Sequence, residues 1–555
     1  MIALPLQFDA SKLGNSVFVD RNFQPYADQW HYLNSIKPMR STDVCSMVEA
    51  IPQESVVSLP EPSDDENSNE PWKQKPSGPS RDPILRGAIP NKADVVVSNM
   101  IYLDKTGFSG SALNRIMSIA AFQNPKFYKY QSMRLSTYNI PRIISCADNL
   151  AKHVTLPRGC LDDLLALLAG NDITVGLRDE RFTGVPIDAR FLGTLRPEQV
   201  TASKAVTGQD IGILCGTTGF GKTVVSAHVI AERMVNTLIV VETKTLLLQW
   251  KERLQQFLDL PAGSVGQIGA GKKKPSGIVD VATIQSLIRK GVVADVVAEY
   301  GQLIVDECHH ISAFTFESVV KQSKAKYVLG LTATPVRKDG DQPIFMMQCG
   351  PIVFKDTRKL QERHPGVSHL VIPRETGFDG ALLDDKQNFQ EICSVLAADS
   401  MRNDLIIDDI LKAVKEKRSP LAITERVDHL EFLAERLQGN VKNVLLLRGG
   451  MSDREMKDFH CRRQDIPNDQ ERVILAIAKC AGEGFDDARL DTLFLMLPIS
   501  FHGRVEQYVG RLHRDHEGKT EVRIYDYVDS GHPMLKGMFK RRATKYRKIG
   551  YEIRS

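Results

Sequence analysis

The sequence predicts an α/β protein in which two tandem units of parallel β-sheet follow a smaller α/β domain. Short, almost continuous apolar segments alternate with helical stretches from about residue 195 onward, and the same rhythm restarts after about residue 365. Strands that are apolar throughout are typical of parallel sheets covered by helices on both faces. The length of 555 residues allows three or four domains, which leaves room for both units and a further domain.

We expect the first sheet-forming unit at residues 191–358. Its apolar segments predict strands at 212–216, 237–242, 279–284, 303–307 and 327–332. The stretches between them predict helices at 222–234, 245–258 and 313–323. The alternation favours a parallel sheet, because each parallel connection has to cross back over the sheet, usually as a helix.

We expect the second unit at residues 365–555. Its apolar segments predict strands at 420–424, 443–447, 472–478, 492–497 and 522–528, and helices are expected at 426–438 and 452–463. Because the two units are consecutive and of similar size, a cleft must lie between them.

The first 190 residues divide into three parts. Residues 1–51 form a short piece that is too small to build an independent core with ease. Residues 52–83 are rich in proline, serine and acids, which predicts a flexible linker. Residues 84–190 have a mixed α/β pattern with a helix at 161–171, and we expect an accessory domain there.

The composition is that of an ordinary folded protein, with 42% hydrophobic and 25% charged residues. The longest apolar runs, 473–478 and 493–498, are far shorter than the roughly 20 residues that span a bilayer. The first ten residues lack the basic and apolar regions of a secretory signal. The nine cysteines are scattered without a C-x-x-C pair, which argues against a zinc cage or a disulfide framework. We therefore expect a cytoplasmic protein that has no membrane partner.

A glycine-rich loop is the strongest motif. Residues 216–223 read GTTGFGKT and match G-x-x-x-x-G-K-[ST] in full, between a predicted strand and a predicted helix. Glycines let backbone N–H groups face phosphates, and the helix N-terminus adds positive potential. In such a loop, Lys222 reaches the β- and γ-phosphates of a nucleotide and the Thr223 hydroxyl binds Mg²⁺.

An acidic pair, Asp306 and Glu307, ends the predicted strand LIVDE, and Cys308 and His309 follow. A carboxylate at the carboxyl end of a strand in the same sheet is well placed to bind Mg²⁺. The neighbouring Glu307 can orient and deprotonate a water molecule. His309 and His310 do not indicate a metal site, since adjacent residues on a strand point in opposite directions; His309 is instead expected to be a polar coupling residue.

Together these motifs resemble those of superfamily 2 helicases, in the XPB-like and UvsW-like branch. Six further stretches match that family's motifs in order: Arg196–Gln199, Thr243–Lys244 with Gln249–Trp250, Ala282–Leu287, Leu331–Pro335, Gly482–Asp486 and Gln507–Arg514. The resemblance covers about residues 190–550 and implies two RecA-like domains with ATP bound between them. The implied cofactors are ATP and Mg²⁺, and the implied partner is DNA, single-stranded or branched.

The resemblance also assigns site residues. It implies catalytic roles for Lys222, Glu307, Arg511 and Arg514, the two arginines reaching ATP from the second domain. It implies Mg²⁺ ligation by Thr223 and Asp306, and coupling of the ATP and nucleic-acid sites by His309, Thr332, Thr334 and Gln507. The implied ATP contacts are Arg196, Gln199, Gly216, Thr217, Thr218, Gly219, Phe220, Gly221, Lys222, Thr223, Gly484 and Asp486. The implied nucleic-acid contacts are Thr243, Lys244, Thr283, Gln285 and Arg448. Their charge makes Lys272, Lys273 and Lys274 further candidates, unless these lysines merely keep a loop soluble.

One departure from the family concerns the strand at 472–478. Relatives carry a threonine near Ile477 or Ala478 that contacts the nucleic-acid backbone, and isoleucine cannot donate that hydrogen bond. ATP hydrolysis should survive this change, whereas the grip on nucleic acid or its coupling to ATP is expected to be weaker.

The N-terminal half has a second resemblance. Residues 84–190 resemble the region before the helicase core in bacterial fusions to primase-polymerase domains, and residues 1–45 resemble the end of the archaeo-eukaryotic primase domain in those fusions. Asp9, Asp20 and Asp28 cannot build a two-metal polymerase site alone, so we expect no primase activity. A primase-polymerase or another DNA-metabolism protein is an expected partner.

Three basic stretches are candidates for salt-sensitive, sequence-tolerant contact with phosphates. Residues 126–142 interleave bases and aromatics, which suits single strands, unless Phe127 and Tyr130 belong to a core and the bases are merely solvated. Lys272–Lys274 are expected on an exposed loop. The C-terminal residues 533–555 hold eight basic side chains against one acid, and the expected helix at 533–548 either attracts phosphate or is simply solvated.

The expected function is an ATP-dependent DNA helicase or translocase. Two alternatives stay open: a nucleotide-gated nucleic-acid clamp or recruitment factor that hydrolyses ATP without unwinding, and a motor that acts on RNA.

Overall fold

The computed structural model describes residues 17–20, 24–36, 85–217, 219–308, 313–333, 342–358, 360–383, 387–482, 487–499, 502–514, 516 and 518–554. They form two compact units, which are not the two sheet-forming units predicted from the sequence, because both of those sheets lie in the second compact unit. The first contains the described residues up to Glu180 with Gln342 and Pro343, and the second contains the rest from Arg181 onward. The expected linker at 52–83 lies outside the described residues. Within the described ranges, no helix is both long and apolar enough to cross a membrane.

The first unit is built around a five-stranded sheet with the strand order β5-β6-β2-β1-β7. Strand β1 pairs in parallel with β7, and the other neighbours in the sheet are antiparallel. The helix expected at 161–171 is confirmed as α4. The elements are α1 (Gln29–Ser35), β1 (Lys92–Val97), β2 (Ile101–Asp104), α2 (Gly110–Met117), β3 (Ala121–Gln123), α3 (Pro125–Ser132), β4 (Ile143–Ser145), β5 (Asp148–Asn149), β6 (His153–Leu156), α4 (Leu161–Ala169) and β7 (Thr174–Asp179).

The second unit contains two large sheets, and we call the elements around the first of them lobe 1. Lobe 1 consists of β8 (Arg190–Phe191), α5 (Pro197–Thr207), β9 (Ile211–Cys215), α6 (Lys222–Arg233), β10 (Thr237–Val241), α7 (Lys244–Phe257), β11 (Leu258–Asp259), β12 (Val265–Gly269), β13 (Lys272–Lys274), β14 (Val279–Thr283), α8 (Ile284–Leu287), β15 (Ile288–Arg289), β16 (Val292–Val293), β17 (Gln302–Val305), α9 (Ala313–Gln322), β18 (Tyr327–Thr332), α10 (Gln342–Cys349) and β19 (Ile352–Lys355).

The lobe 1 sheet has eight strands in the order β13-β12-β14-β10-β17-β18-β9-β19. Every pair is parallel except β12 with β13. Two apolar clusters line the sheet, and the five predicted strands supply the centre of both. The carboxyl ends of β9, β17 and β18 share one edge, so the loops that follow these strands lie together.

Lys272–Lys274 correct one prediction. They are exposed, as expected, but they form the edge strand β13 rather than a loop. The turn before β13 has positive φ angles at Ala270 (52°) and Gly271 (79°), which suits a tight hairpin between antiparallel strands. The three lysines therefore stand on a short, charged sheet edge, an arrangement that disfavours pairing with another chain.

Lobe 2 surrounds a seven-stranded, all-parallel sheet with the order β22-β23-β21-β24-β25-β20-β26. Its elements are α11 (Leu360–Arg363), β20 (Ser368–Glu375), α12 (Phe389–Ala398), α13 (Ser400–Lys415), β21 (Pro420–Thr424), α14 (Val427–Leu437), β22 (Val444–Leu447), α15 (Asp453–Asp465), β23 (Val473–Ile477), α16 (Ala478–Gly482), β24 (Thr492–Leu495), α17 (His502–Gly510), β25 (Glu521–Val528), α18 (Pro533–Ile549) and β26 (Glu552–Ile553).

The C-terminal helix α18 is only partly a solvated basic surface. Arg542 is buried and donates through Nε and one terminal nitrogen to the two carboxylate oxygens of Asp526, each at 2.8 Å. The Tyr546 hydroxyl donates to the same carboxylate at 2.8 Å. These contacts hold α18 against β25, so Arg542 is structural, while Lys536, Lys540, Arg541, Arg547 and Lys548 remain exposed.

A buried ion pair fixes α13 to the far end of β25. Arg402 and Asp529 are both fully buried, and Arg402 Nε donates to the Asp529 carboxylate at 3.0 Å. Arg402 also donates to the Met496 carbonyl at 2.6 Å, and the Thr376 hydroxyl donates to Asp529 at 2.7 Å. Removing one partner of such a pair leaves an uncompensated charge in the interior.

We predict that Asp529→Ala destabilises lobe 2 by about 3–5 kcal/mol, because the Arg402 cation then stays buried without its carboxylate. The measurement is native-state hydrogen exchange of the β25 amides, which reports the free energy of opening. The matched control is Arg436→Ala, since Arg436 and Asp404 form an exposed pair in the same lobe and such pairs contribute at most about 1 kcal/mol. Equal effects of the two variants would show that the buried pair is not a structural anchor.

Candidate functional site

The glycine-rich loop connects β9 to α6. Gly221 has φ of 88° and occupies the position before the helix, and a Cβ there would clash with the side-chain nitrogen of Gln199. A Cβ on Gly216 would lie 2.8 Å from the Phe220 ring. Glycine is therefore required at both positions for the loop to curl tightly. The Lys222 ammonium donates to the Gly216 carbonyl at 3.1 Å, across the mouth of the loop. Thr218 lies outside the described residues.

The acidic pair sits beside this lysine. The Lys222 ammonium is 3.4 Å from the Glu307 carboxylate, and both side chains are largely shielded from solvent. Asp306 is buried, and burial together with the charge of Glu307 raises the pKa of its carboxyl, while the Lys222 charge opposes the shift. Glu307 has φ of 45°, an uncommon left-handed backbone that turns the chain directly after β17. One cation, Lys222, thus lies beside two acids, Asp306 and Glu307, at this edge of the sheet.

The residues at this edge fit a magnesium ion. Carboxylate and hydroxyl oxygens are the ligands that Mg²⁺ prefers, and Asp306 and Thr223 offer one of each. Burial, and then the charge of Glu307, raises the pKa of the Asp306 carboxyl, and a bound cation would favour its charged form. Asp306 and Thr223 are therefore the residues of the loop and the acidic pair that suit a divalent cation.

Trp250 holds the Asp306 carboxylate in place. It lies on α7, is almost fully buried, and its indole Nε1 donates to Asp306 Oδ2 at 2.7 Å. The backbone N–H of Glu307 donates to the other oxygen, Oδ1, at 2.9 Å. Sequence reasoning matched Trp250 to a family motif but did not assign it this positioning contact, which joins residues 56 positions apart.

Arg196 and Gln199, expected to contact ATP, also brace the glycine-rich loop. Arg196 donates to the Phe220 carbonyl at 2.7 Å, and the Gln199 side-chain nitrogen donates to the same carbonyl at 2.8 Å. The Gln199 side-chain oxygen accepts from the Arg196 backbone N–H at 3.0 Å. The pair therefore links the start of α5 to the loop.

A second link to the loop was missed in the sequence. It comes from the connector, which we define as residues 356–358 together with α11, the first helix of lobe 2. Arg363, at the end of α11, donates to the Thr217 hydroxyl at 2.8 Å and lies 3.4 Å from the Asp356 carboxylate. Arg358 donates to Asp356 at 3.0 Å and reaches Glu198 at 3.2 Å. The connector is thus tied to the glycine-rich loop by a hydrogen bond and to α5 by an ion pair.

A cavity of about 700 Å³ opens between the two lobes next to the loop. Lobe 1 contributes Gly219 and Gly221, and lobe 2 contributes Asp487 and Arg514. A Cβ placed on Gly219 would lie 3.6 Å from the His513 carbonyl, which shows how closely the lobes approach. The lining holds six arginines and a single acid, Asp487; the arginines are Arg196, Arg253, Arg463, Arg472, Arg489 and Arg514. Such a wall attracts a polyanion.

The other residues of the predicted ATP and coupling sites are distributed as follows. Arg514 lines the cavity, whereas Arg511, three residues earlier, is not among the described residues that line it. Thr332 is fully buried at the end of β18, where its carbonyl accepts from the Gly216 N–H at 3.0 Å. Gln507 lies on α17. His309, Thr334, Gly484 and Asp486 lie outside the described residues.

The predicted nucleic-acid contacts are spread over both lobes. Thr243 caps α7 through its hydroxyl, and Lys244 follows it. Thr283 is buried and its hydroxyl is 2.6 Å from that of Ser286, whereas Gln285 is exposed. In lobe 2, Arg448 donates to Glu431 at 2.8 Å. Thr283 and Arg448 are thus already engaged by neighbouring side chains.

Comparison with known proteins agrees with these features. Residues 192–337 match the family described as the res subunit of type III restriction enzymes, and residues 1–47 match the archaeo-eukaryotic primase domain of the TOTE conflict system. Over 387 residues the chain is 25% identical to a protein of Acanthamoeba polyphaga mimivirus, provisionally named an ATP-dependent RNA helicase; the match covers 66% of this chain and 70% of that protein. Over 161 residues it is 35% identical to the DNA 3'-5' translocase XPB2 of Sulfurisphaera tokodaii, covering 29% of this chain and 35% of that protein.

The chain is similar to superfamily 2 helicases. The resemblance to this superfamily is confirmed, as is the resemblance of the N-terminal residues to a primase domain. The two parallel sheets are the tandem RecA-like domains that the helicase core was expected to have, and the protein is an ATP-using enzyme. The crystal structure of T4 UvsW aligns with 83% of this chain and 98% of its own, at 15% identity and a TM-score of 0.38.

We predict that Trp250→Phe lowers the ATPase rate constant of the helicase core about tenfold or more, because it removes the hydrogen bond that orients the Asp306 carboxylate while keeping an aromatic ring. Hydrogen bonds to charged groups contribute about 1.5–3 kcal/mol. The measurement is steady-state ATPase with a magnesium titration. Leu254→Val, a buried change on the same helix, is the matched packing control. Indistinguishable rates for Trp250→Phe and the control would contradict a positioning role.

We also predict that Arg363→Ala and Thr217→Val are non-additive in their effect on ATPase activity. Both changes break the Arg363–Thr217 contact, and Arg363→Ala also removes the contact with Asp356. The double variant should therefore be no worse than Arg363→Ala alone, with a coupling of about 1 kcal/mol. Arg358→Ala is the control, since Arg358 shares Asp356 but does not contact Thr217. Additive losses in the Arg363–Thr217 cycle would exclude a direct energetic link between connector and loop.

Proposed function

We propose that the protein is an ATP-dependent DNA helicase or translocase that couples hydrolysis of Mg-ATP to movement along DNA or remodelling of it. The observation that carries the proposal is the arginine-rich cavity between the lobes, with the glycine-rich loop on one wall and Arg514 on the other. A triphosphate bound there would contact both lobes at once. Its charge would then decide whether the lobes are drawn together.

In this proposal, the lysine and the acidic pair exchange partners when the nucleotide binds. Lys222 is paired with Glu307 in the structure at 3.4 Å. The β- and γ-phosphates carry more negative charge than one carboxylate, so they would draw the ammonium toward the loop. Glu307 would then lose its cation and become a better base for the attacking water. Binding of the substrate would thus activate the base.

Mg²⁺ would be held by Thr223 and Asp306 and would neutralise charge on the phosphates. Trp250 keeps the Asp306 carboxylate aimed at that position, and the braces on the loop keep its N–H groups directed at the phosphates. Arg514 would stabilise the charge that develops on the transferred phosphoryl group, with Arg511 as the second expected arginine. Arginines in this role contribute about 10³–10⁵ in rate in comparable enzymes.

DNA is the proposed track, single-stranded or branched, because an archaeal relative is named a DNA translocase and the N-terminal residues match a primase domain. The proposed contacts are Thr243, Lys244, Gln285 and the exposed lysines of β13, with Thr283 and Arg448 requiring a change of partner to take part. Thr332 and Gln507 would transmit closure of the ATP site to these contacts. A primase-polymerase is the proposed protein partner.

A clamp that hydrolyses ATP without unwinding is the second candidate. Ile477 favours it, because this residue ends β23 where family members carry a threonine that binds the nucleic-acid backbone. RNA is a further candidate track, favoured by the name of the viral relative. Measuring ATPase stimulation and strand displacement side by side with single-stranded DNA, forked DNA, duplex DNA and RNA separates these possibilities. Stimulation without displacement or translocation would favour the clamp, and stimulation by RNA alone would overturn the assignment to DNA.

We predict that Lys222→Ala and Glu307→Gln each abolish DNA-stimulated ATPase activity while leaving the fold intact. The first removes the phosphate-binding cation, and the second removes the base without changing the shape of the side chain. The measurement is phosphate release at saturating ATP and DNA, with circular dichroism as the check of folding. Lys204→Ala, an exposed change on α5, is the control and should retain full activity. Wild-type turnover by either site variant would refute the assignment of the site.

A further inference from the structure

An exposed arm projects from the first unit. We define the basic arm as Ala121–Ser145, which contains β3, α3, β4 and the chain between them. Strands β3 and β4 pair antiparallel and form its stem. Asn124 closes the stem, since its backbone N–H donates to the Arg142 carbonyl at 2.9 Å and its side chain donates to the Pro141 carbonyl at 2.7 Å. Asn124 is the one buried residue of the arm, all of which the structure describes, and α3 has no buried side chain.

The charge of the arm is of one sign. No aspartate or glutamate occurs between Asp104 and Asp148, whereas four basic residues fall on the arm: Lys126, Lys129, Arg134 and Arg142. A solvated protein surface ordinarily mixes both signs. A run of 43 residues without an acid, in a chain that is 25% charged, therefore marks a surface that favours a polyanion.

The arm is also rich in aromatic rings. Five of its 25 residues are aromatic, against 7% for the whole chain: Phe122, Phe127, Tyr128, Tyr130 and Tyr138. Tyr138 is 85% exposed, and Met133 and Leu135 beside it are exposed as well. Phe127 and Tyr130 are partly buried, as are Phe122 and Tyr128, whereas Tyr138 is exposed. An exposed ring beside two exposed apolar side chains and several partly exposed rings indicates a surface that stacks on a ligand.

Cations and rings of the arm are paired. The Lys126 ammonium lies 5.7 Å from the centre of the Tyr130 ring, and the Arg142 guanidinium lies 5.9 Å from that of Tyr128. Arg142 Nε also donates to the Tyr128 hydroxyl at 3.0 Å. Each pair places a positive charge beside the π-face of a ring. A nucleotide offers the complementary groups, since its flat base can stack on the ring and its phosphate can bind the cation.

We propose that the basic arm binds single-stranded DNA, with bases stacked on Tyr128, Tyr130 and Tyr138 and phosphates held by the four cations. The proposal rests on the DNA motor function proposed above and adds a second contact to it, in the accessory unit rather than in the lobes. A stacking surface of this kind is indifferent to base sequence, because every base has a π-face. Because the arm lies in the accessory unit and not in the lobes, it would retain a strand independently of the nucleotide bound to the lobes.

The test is fluorescence anisotropy of a labelled oligo-dT with the full chain, without nucleotide, over a range of salt concentrations. Tyr138→Ala should weaken binding about tenfold, whereas Tyr138→Phe should retain it, because stacking needs the ring and not the hydroxyl. The triple variant K126A/K129A/R134A should reduce the slope of log affinity against log salt by about 0.7 for each cation. Leu177→Ala and Lys152→Ala, exposed changes on the same unit, are the matched controls.

Four outcomes are distinguishable. Loss of affinity in Tyr138→Ala with basal ATPase unchanged supports the arm. Unchanged affinity and an unchanged salt slope in the arm variants, while the wild type binds, overturn the arm and leave the motor function standing. Wild-type protein that hydrolyses ATP but binds no DNA overturns both proposals. The last outcome concerns vesicles that contain phosphatidylserine. If Tyr138→Ala weakens binding to these vesicles but leaves DNA binding unchanged, the assignment of the arm to nucleic acid is overturned.

Discussion

The contact between the Lys222 ammonium and the Asp306–Glu307 pair is the interaction around which the helicase core is organised. Two carboxylates at the end of β17 repel each other, and burial raises the cost of keeping both charged, as the raised pKa of Asp306 shows. Lys222, the first residue of α6, partly neutralises that charge through its contact with Glu307. In the proposed function, Mg²⁺ would neutralise the two acids and the triphosphate would bind the lysine in place of Glu307.

The rest of the structure keeps these groups at one edge of a parallel sheet. Trp250 fixes one carboxylate, the Arg196–Gln199 pair braces the loop, and Arg363 ties the loop to the connector that leads into lobe 2. The last contact matters for a motor, because it gives the loop a mechanical path to the second lobe besides the nucleotide itself. Lobe 2 supplies the opposite wall with four arginines: Arg463, Arg472, Arg489 and Arg514.

Sequence was sufficient for whatever is local and patterned. The all-apolar strands, the GTTGFGKT loop and the helix that follows it were predicted because their signals lie in adjacent residues. Contacts between distant residues left no such signal: Trp250 with Asp306, and Arg363 with Thr217, are joined only by the fold. Lys272–Lys274 were predicted as a loop because three lysines show no strand periodicity; their strand arises from pairing with β12 across a tight turn. Arg542 shows the converse, since a basic helix gave no sign that one of its charges is buried against Asp526.

The most direct test of the proposed ATP site is a structure of the full chain with Mg²⁺ and ADP–aluminium fluoride, which mimics the transition state of phosphoryl transfer. The account predicts the fluoride cradled by the glycine-rich loop and Lys222, with the Arg514 guanidinium of lobe 2 within hydrogen-bond distance of it and Glu307 released from Lys222. A nucleotide held by lobe 1 alone, with Arg514 turned to solvent and the Lys222–Glu307 contact intact, would contradict it.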